Sequence, residues 1–158
     1  MLSRMEAQMR ASGGRRRVEL VCPAGHLPGL KAAVDNGADA VYLGFRDATN
    51  ARNFAGLNFS PDEIPAAIDY AHARGVRVFL AINTYPSQTQ WSRWCAAVDG
   101  AVALGADALI LADLGLLRYC AERHPGQRLH LSVQASATNH QAIGFYAREC
   151  DIRRVVLP

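Results

Sequence analysis

Apolar runs and helical periods alternate along this chain without a break, and one four-residue junction occurs twice. Gly37-Ala-Asp-Ala40 recurs as Gly105-Ala-Asp-Ala108, each time between a helical period and an apolar run. Glycine closes the helix, alanine lets the next strand begin close under its neighbours, and the Asp is expected to turn outward. Strands are predicted over 18–22, 40–44, 76–82, 108–111, 129–133 and 152–157. The unbroken apolar run around Tyr42 fits a strand covered on both faces. Between the strands, Leu27, Leu30, Ala33 and Val34 recur at helical spacing, as do Ile64, Ala67, Ile68 and Ala71, and then Trp91, Cys95, Val98 and Val102. Leu116, Leu117 and Cys120 mark a fourth helix, and Ala142, Ile143, Tyr146 and Ala147 a fifth. Ser60-Pro-Asp-Glu63 reads as a capping box with Pro61 at the first helical position of the second helix.

Parallel strands joined by right-handed helical crossovers form either an open doubly wound sheet or a closed eight-fold barrel. The first crossover, Cys22-Pro-Ala-Gly-His26, has one glycine where a dinucleotide site needs G-x-G-x-x-G, so that ligand class is disfavoured. The expectation is an α/β fold: a partial, TIM-like (β/α) barrel of about six parallel strands and five helices over residues 18–158. A closed barrel takes about 250 residues. The arc is therefore expected to stop before closure, as part of a longer reading frame, with an unpaired strand edge that would make the isolated piece poorly soluble or self-associating.

Charge narrows the partners. Residues 1–17 carry five arginines against Glu6 and read as a disordered basic leader, which leaves a body of about −1 out of the formal +3. A nearly neutral body argues against a broad phosphate-binding face, so no nucleic-acid partner is expected. The leader lacks the apolar stretch of a secretory signal, and no run of about 18 apolar residues is present, so no membrane span is expected and the cytoplasm is the default location. Cys22, Cys95, Cys120 and Cys150 are far apart, with no C-x-x-C pair. They do not form a metal site by spacing, and Cys95 and Cys120 are read as small core residues.

In barrels of this kind the active face is built at the carboxyl ends of the strands. The positions that fall there are Asn50 and Arg52 in the long loop 45–59, Asn83, Asp113, Gln134 and Ser136, with His26 nearby. They are mainly amides and hydroxyls, groups that orient a polar ligand rather than break bonds unaided. Arg52 can hold a carboxylate or phosphate, against the blander reading of a solvated arginine paired with Asp47. Asp113 is read first as the N-cap of a helix and second as a general base, Asn83 as either a loop brace or a ligand contact. Gln134 is a poor N-cap and is therefore a candidate for a pocket wall, whereas Thr138 and Asn139 suit the cap of the fifth helix. His72, His124, His130 and His140 have no assigned partner and are read as superficial. No nucleophile and base pair is apparent, and the catalytic residues are unknown at this level.

Several motifs carry a resemblance. Glu19-Leu-Val-Cys-Pro-Ala-Gly25, Asn36-Gly-Ala-Asp-Ala-Val-Tyr-Leu-Gly44 and Arg153-Arg-Val-Val-Leu-Pro158 resemble the amino-terminal half of the collagenase-like peptidase family U32. Thr49 to Phe59, Ala81-Ile-Asn83, Ala106 to Asp113 and Ser132 to Asn139 are most similar to the branch of that family that serves ubiquinone biosynthesis. The resemblance implies a barrel-like subunit that pairs with a related protein as a heterodimer for oxygen-independent hydroxylation of a ubiquinone precursor in bacteria. It implies a 4Fe-4S cluster whose ligands lie outside this chain, and no metal ligand is carried onto Cys22, Cys95, Cys120 or Cys150. Other members of the family modify RNA or are called peptidases, so both activities, or an inactive fragment, stand as alternatives.

Overall fold

The computed structural model of the protein describes residues 18–158, and the leader expected over 1–17 lies outside the described residues. Six strands form one sheet in chain order: β1 (Val21–Pro23), β2 (Ala40–Gly44), β3 (Arg77–Ile82), β4 (Ala108–Leu111), β5 (Leu129–Leu131) and β6 (Ile152–Val155). Five helices make the crossovers: α1 (Leu27–Asp35), α2 (Ile64–His72), α3 (Trp91–Ala103), α4 (Leu114–Arg123) and α5 (His140–Cys150). Every neighbouring pair is parallel, and β1 and β6 are the two edges. This is the predicted arc of a TIM-like barrel.

The two faces of the sheet do different work. Val41, Leu43, Val78, Leu80, Ile82, Leu109, Leu111, Leu129 and Leu131 point to the helices and merge with Leu30, Ile68, Val98 and Leu117 into the main core. The alternate positions face the other way, where Ala40, Phe79 and Ala108 pack with Val21, Tyr42 and Ile110. Ala108, the register neighbour of Phe79 on β4, is small and leaves its ring room on this concave face, as in the interior layers of a barrel.

The repeated junction shows why its residues recur. Gly37 and Gly105 sit at φ +91° and +85°, where the chain leaves a helix in the left-handed region. The Asp does not turn outward as expected. Asp39 accepts the Leu20 amide at 2.9 Å, and Asp107 accepts the Val78 amide at 2.7 Å. The Asp39 and Asp107 amides donate to the carbonyls of the same residues, Leu20 and Val78, each at 2.9 Å. Each Asp is thus a two-point clamp on the start of the neighbouring strand, satisfying backbone groups at the foot of the sheet.

Boundaries shift where polar groups intervene. β1 starts at Val21 rather than 18, because Leu20 is held by Asp39 and Val18 is exposed. β5 ends at Leu131, since Ser132 accepts the Gln134 amide at 3.2 Å and turns the chain into a short 3-10 helix, Val133–Ala135. The capping box forms in part: the Glu63 carboxylate accepts the Ser60 amide at 2.7 Å, but Pro61 to Glu63 make a turn and α2 begins at Ile64.

The two sheet edges do not pair with each other, yet one ionic group joins them. Glu19, just before β1, receives Arg77 from the start of β3 at 2.5 Å and Arg154 from β6. These guanidiniums hold its carboxyl down at about 2, against an ordinary 4.5. A depressed folded-state value contributes stability above the unfolded value, and that contribution is lost as pH falls from about 4.5 towards 2. The group is 34% exposed, so solvent screening reduces the contribution to about 1 kcal/mol. Glu19→Gln is expected to lower the melting temperature at pH 7 and to leave it nearly unchanged at pH 2. Equal losses at both pH values, measured on the same protein, would show that the carboxylate charge is not what matters.

Candidate functional site

A cavity of about 610 Å³ opens on the concave face, at the carboxyl ends of the strands. Its walls are apolar, with Val21, Tyr42, Phe79 and Ile110 from the sheet and Phe54 and Leu57 from the 45–59 loop. Polar groups enter at a few points, and loops and register set each of them.

The loop is organised by buried asparagines. A parallel bridge between Phe45 and Phe59 closes its base. Asn50, 6% exposed, donates to Asn58 Oδ1 at 2.8 Å and to the Phe45 carbonyl at 3.3 Å, while its own Oδ1 accepts the Arg52 amide at 3.0 Å. Asn58, at φ +72°, donates in turn to the Arg52 carbonyl at 2.7 Å. Thr49 accepts the Asn83 amide at 2.9 Å, and Asn83 Oδ1 accepts the Ala51 amide at 2.9 Å, which ties the loop to the end of β3. Asn83 also reaches Ser132 Oγ at 3.4 Å. Asn50 and Asn83 therefore line the cavity while acting as braces.

Arg52 projects from this braced turn. Its guanidinium donates to the Tyr42 hydroxyl at 2.8 Å and lies 5.9 Å from that ring. Asp47 is not its partner: that carboxylate takes the Thr49 amide and hydroxyl at 2.8 and 2.6 Å and Arg93 at 3.3 Å. Burial would raise the Asp47 carboxyl, and the bonds from Thr49 and Arg93 outweigh it and hold it below the usual range. Among the described residues no carboxylate is ion-paired to Arg52, so the rim of the cavity carries an uncompensated cation.

The remaining expected positions divide. Gln134 lines the cavity; its carbonyl is held by the Tyr85 hydroxyl at 2.6 Å and its side-chain amide is uncommitted among the described residues. Ser136 and Asp113 are not among the lining residues. Ser136 ends the 3-10 turn at φ +51°, and Asp113 caps α4 by accepting the Leu116 amide at 2.9 Å. His26 lines the cavity and caps α1, its Nδ1 accepting the Gly29 amide at 2.9 Å. Asn139 caps α5 as expected, through the Gln141 and Ala142 amides.

The histidines depart most from expectation. His72 and His124 are paired, with Asp107 at 2.8 Å and Asp99 at 2.6 Å. His130 is not superficial: it is 1% exposed, on the concave face in register with Ile110 and Arg154. Its ring meets Phe79 edge-on at 4.7 Å. Burial, with Arg154, Arg128 and Arg77 nearby, pushes its pKa down to about 4, so the ring is neutral at pH 7. Among the described residues Nε2 has no hydrogen-bond partner, which costs about 1–3 kcal/mol. No hydrogen bond joins His130 to Ser132 among the described residues, so these two do not form a nucleophile and base.

Sequence reasoning missed Tyr42, Phe79, His130 and Arg154. For His130 and Arg154 strand alternation offers a signal, because each is a polar residue on the face opposite the apolar helix-facing set; Tyr42 and Phe79 lie in continuous apolar runs and offer none. Below the cavity, Arg77 and Arg154 lie 5.8 and 5.6 Å from the Phe79 ring and meet Glu19, forming an ionic floor.

The cysteines do not converge. Among the described residues no group of three or more His, Cys, Asp or Glu side chains is placed to hold a metal ion. Burial raises the thiol pKa values of Cys95, Cys120 and Cys150, that of Cys120 to about 12, which keeps them as thiols rather than the thiolates a cluster needs. These residues do not fit a 4Fe-4S group.

The family model of Peptidase family U32 matches residues 25–158. The chain belongs to that family. It is 36% identical over 140 residues to an uncharacterized protease of Methanocaldococcus jannaschii, covering 89% of this chain and 33% of the relative. It is 34% identical over 140 residues to the tRNA hydroxylation protein P of Escherichia coli, covering 88% of this chain and 30% of that protein. This U32 chain thus spans about a third of the length of the curated relatives it matches. A solved U32 peptidase superposes with a TM-score of 0.75 at 14% identity, over 92% of this chain and 60% of that one, and shares the fold. Among the described residues no helix is long and apolar enough to cross a membrane.

Proposed function

We propose that this U32 chain is part of a UbiU-like hydroxylation subunit that acts with a UbiV-like partner on an aromatic precursor of ubiquinone. The observation that carries the reading is the cavity: about 610 Å³, apolar walls, and one uncompensated guanidinium at the rim. That volume suits a small organic molecule. Phe79, Tyr42 and Ile110 would lie against its ring, and Arg52 would hold an anionic substituent by charge-assisted hydrogen bonds. The protein's share of the work is to bind, orient and keep water away from the ring. A 4Fe-4S cluster, with ligands outside this chain, would supply the redox chemistry. The reaction would be run without molecular oxygen, in the cytoplasm.

Relatives named for tRNA hydroxylation support a second substrate class, RNA. The body of about −1 favours the small molecule, because most of its arginines are already committed to carboxylates: Arg46 to Glu63, Arg74 to Asp35, Arg93 to Asp47, Arg118 to Glu122, and Arg77 and Arg154 to Glu19. Among the described residues such pairs leave few free cations for a phosphate backbone. A peptidase is the weakest alternative, since Ser132 is engaged by Asn83 and the Gln134 amide rather than by a base. Deleting the full-length gene and growing the strain without oxygen separates these readings. Ubiquinone is expected to fall while hydroxylated pyrimidines in tRNA and rRNA, read by mass spectrometry, stay constant. The opposite pattern would transfer the protein to the RNA branch.

A further inference from the structure

The cavity wall holds one group that the loop architecture does not use. His130 is fixed in the centre of β5, its backbone in the ladder and its ring edge-on to Phe79. Among the described residues its buried Nε2 is left without a partner. A phenylalanine or leucine would fill the same space without an orphaned nitrogen, as Leu129 and Leu131 do on the other face. The polar atom is therefore placed for something that the chain alone does not supply.

The surroundings define what that partner is. Arg154 is the register neighbour of His130 on β6, and Arg77 and Arg154 both lie near the Phe79 ring that His130 touches. Burial first, and then their cationic field, only partly offset by Glu19, keeps the imidazole neutral, and that field disfavours an incoming cation or ammonium group. An electron-rich oxygen fits, with Nε2–H as donor. We propose that His130 is a specificity-determining residue of the cavity, donating from Nε2 to an oxygen substituent, phenol or ring carbonyl, of an aromatic ligand. The ring of that ligand lies on the apolar wall formed by Tyr42, Phe79 and Ile110, and because Nε2 is buried, binding through it requires that wall to yield. The inference rests on the aromatic-substrate reading and adds which chemical feature of the ring is read, and by which residue. A site built to hydrogen-bond a hydroxyl rejects the analogue that lacks it far more strongly than an apolar pocket does.

The test uses full-length protein with its partner and two probes, a 2-alkylphenol and the matching alkylbenzene, with dissociation constants measured by calorimetry. The wild type is expected to prefer the phenol by about tenfold or more. His130→Phe keeps the ring volume and removes the orphaned nitrogen. It is expected to bind both probes alike while melting at the same temperature as the wild type or about 2–4 °C higher, a gain in stability coupled to a loss of discrimination. His130→Gln, which restores a donor, is expected to recover part of the preference. If the wild type binds both probes equally, His130 is not reading an oxygen and the inference falls while the cavity reading stands. If His130→Phe retains the preference, or only lowers the melting temperature, the residue is structural and the inference also falls. If the wild type binds neither probe, the aromatic cavity itself is wrong and both readings fall together.

Discussion

Gly44→Ala is expected to destabilise the protein by about 2–4 kcal/mol and to release the loop that carries Arg52. A Cβ built at Gly44 would lie 2.3 Å from Asn50 Nδ2 and 2.6 Å from its Cγ, closer than real atoms approach. Asn50 is buried and has nowhere to move without giving up its bonds to Phe45, Asn58 and the Arg52 amide. The methyl group thus removes a network rather than one contact, and leaves buried polar groups unpaired. The alternative is a cheap local shift, and two further variants distinguish them. Gly100→Ala meets nothing within 4 Å in the middle of α3 and is expected to be neutral or stabilising by up to about 1 kcal/mol. Asn50→Ala removes the obstructed side chain, so adding Gly44→Ala to it is expected to cost much less than in the wild type. Denaturant titration gives the energies, and hydrogen exchange over residues 46–58 reports the loop. Wild-type stability and protection in Gly44→Ala would refute the network.

The sequence carries the arc of the barrel openly. Apolar runs broken by Gly-Ala-Asp-Ala junctions name the strands, because a strand covered on both faces is apolar at every position and stands out from the amphipathic helices. The same property hides the site. In β2 and β3, Tyr42 and Phe79 belong to continuous apolar runs, and period two carries no polar signal to say which of them faces a cavity. His130 between Leu129 and Leu131 was legible only as a polar break, and its burial depends on Arg154 and Phe79 from strands distant in sequence. Glu19 and Arg154 are 135 positions apart, so nothing local announces the floor they form. Caps were easier: Asp113 and Asn139 act on amides two or three residues away, and local chemistry decides local contacts. The 45–59 loop falls between these cases. Its asparagines are visible, but their mutual bonds follow from the Phe45–Phe59 bridge that folds the loop back on itself.

Under the proposed function, Arg52→Ala in the full-length protein is expected to cut anaerobic ubiquinone formation by about tenfold or more, with protein level and any bound iron unchanged. The backbone of Arg52 is pinned on both sides, its amide by Asn50 and its carbonyl by Asn58, and neither bond involves the side chain. The guanidinium has Tyr42 as its hydrogen-bond partner and is exposed, so stability is expected to change by less than about 0.5 kcal/mol. What is lost is a charge-assisted hydrogen bond to ligand, about 1.5–3 kcal/mol, which corresponds to roughly 10- to 100-fold in rate or affinity. Arg52→Lys keeps the charge without the planar fork and is expected to fall between wild type and alanine. Tyr42→Phe frees the guanidinium from its hydroxyl anchor and is expected to produce a smaller defect, through orientation alone. Loss of iron in Arg52→Ala would make the residue a structural support for the proposed cluster-bearing part. An unaltered quinone yield would remove the cation from the binding site, and with it the reason for preferring an anion-bearing ring over any other occupant of the concave face.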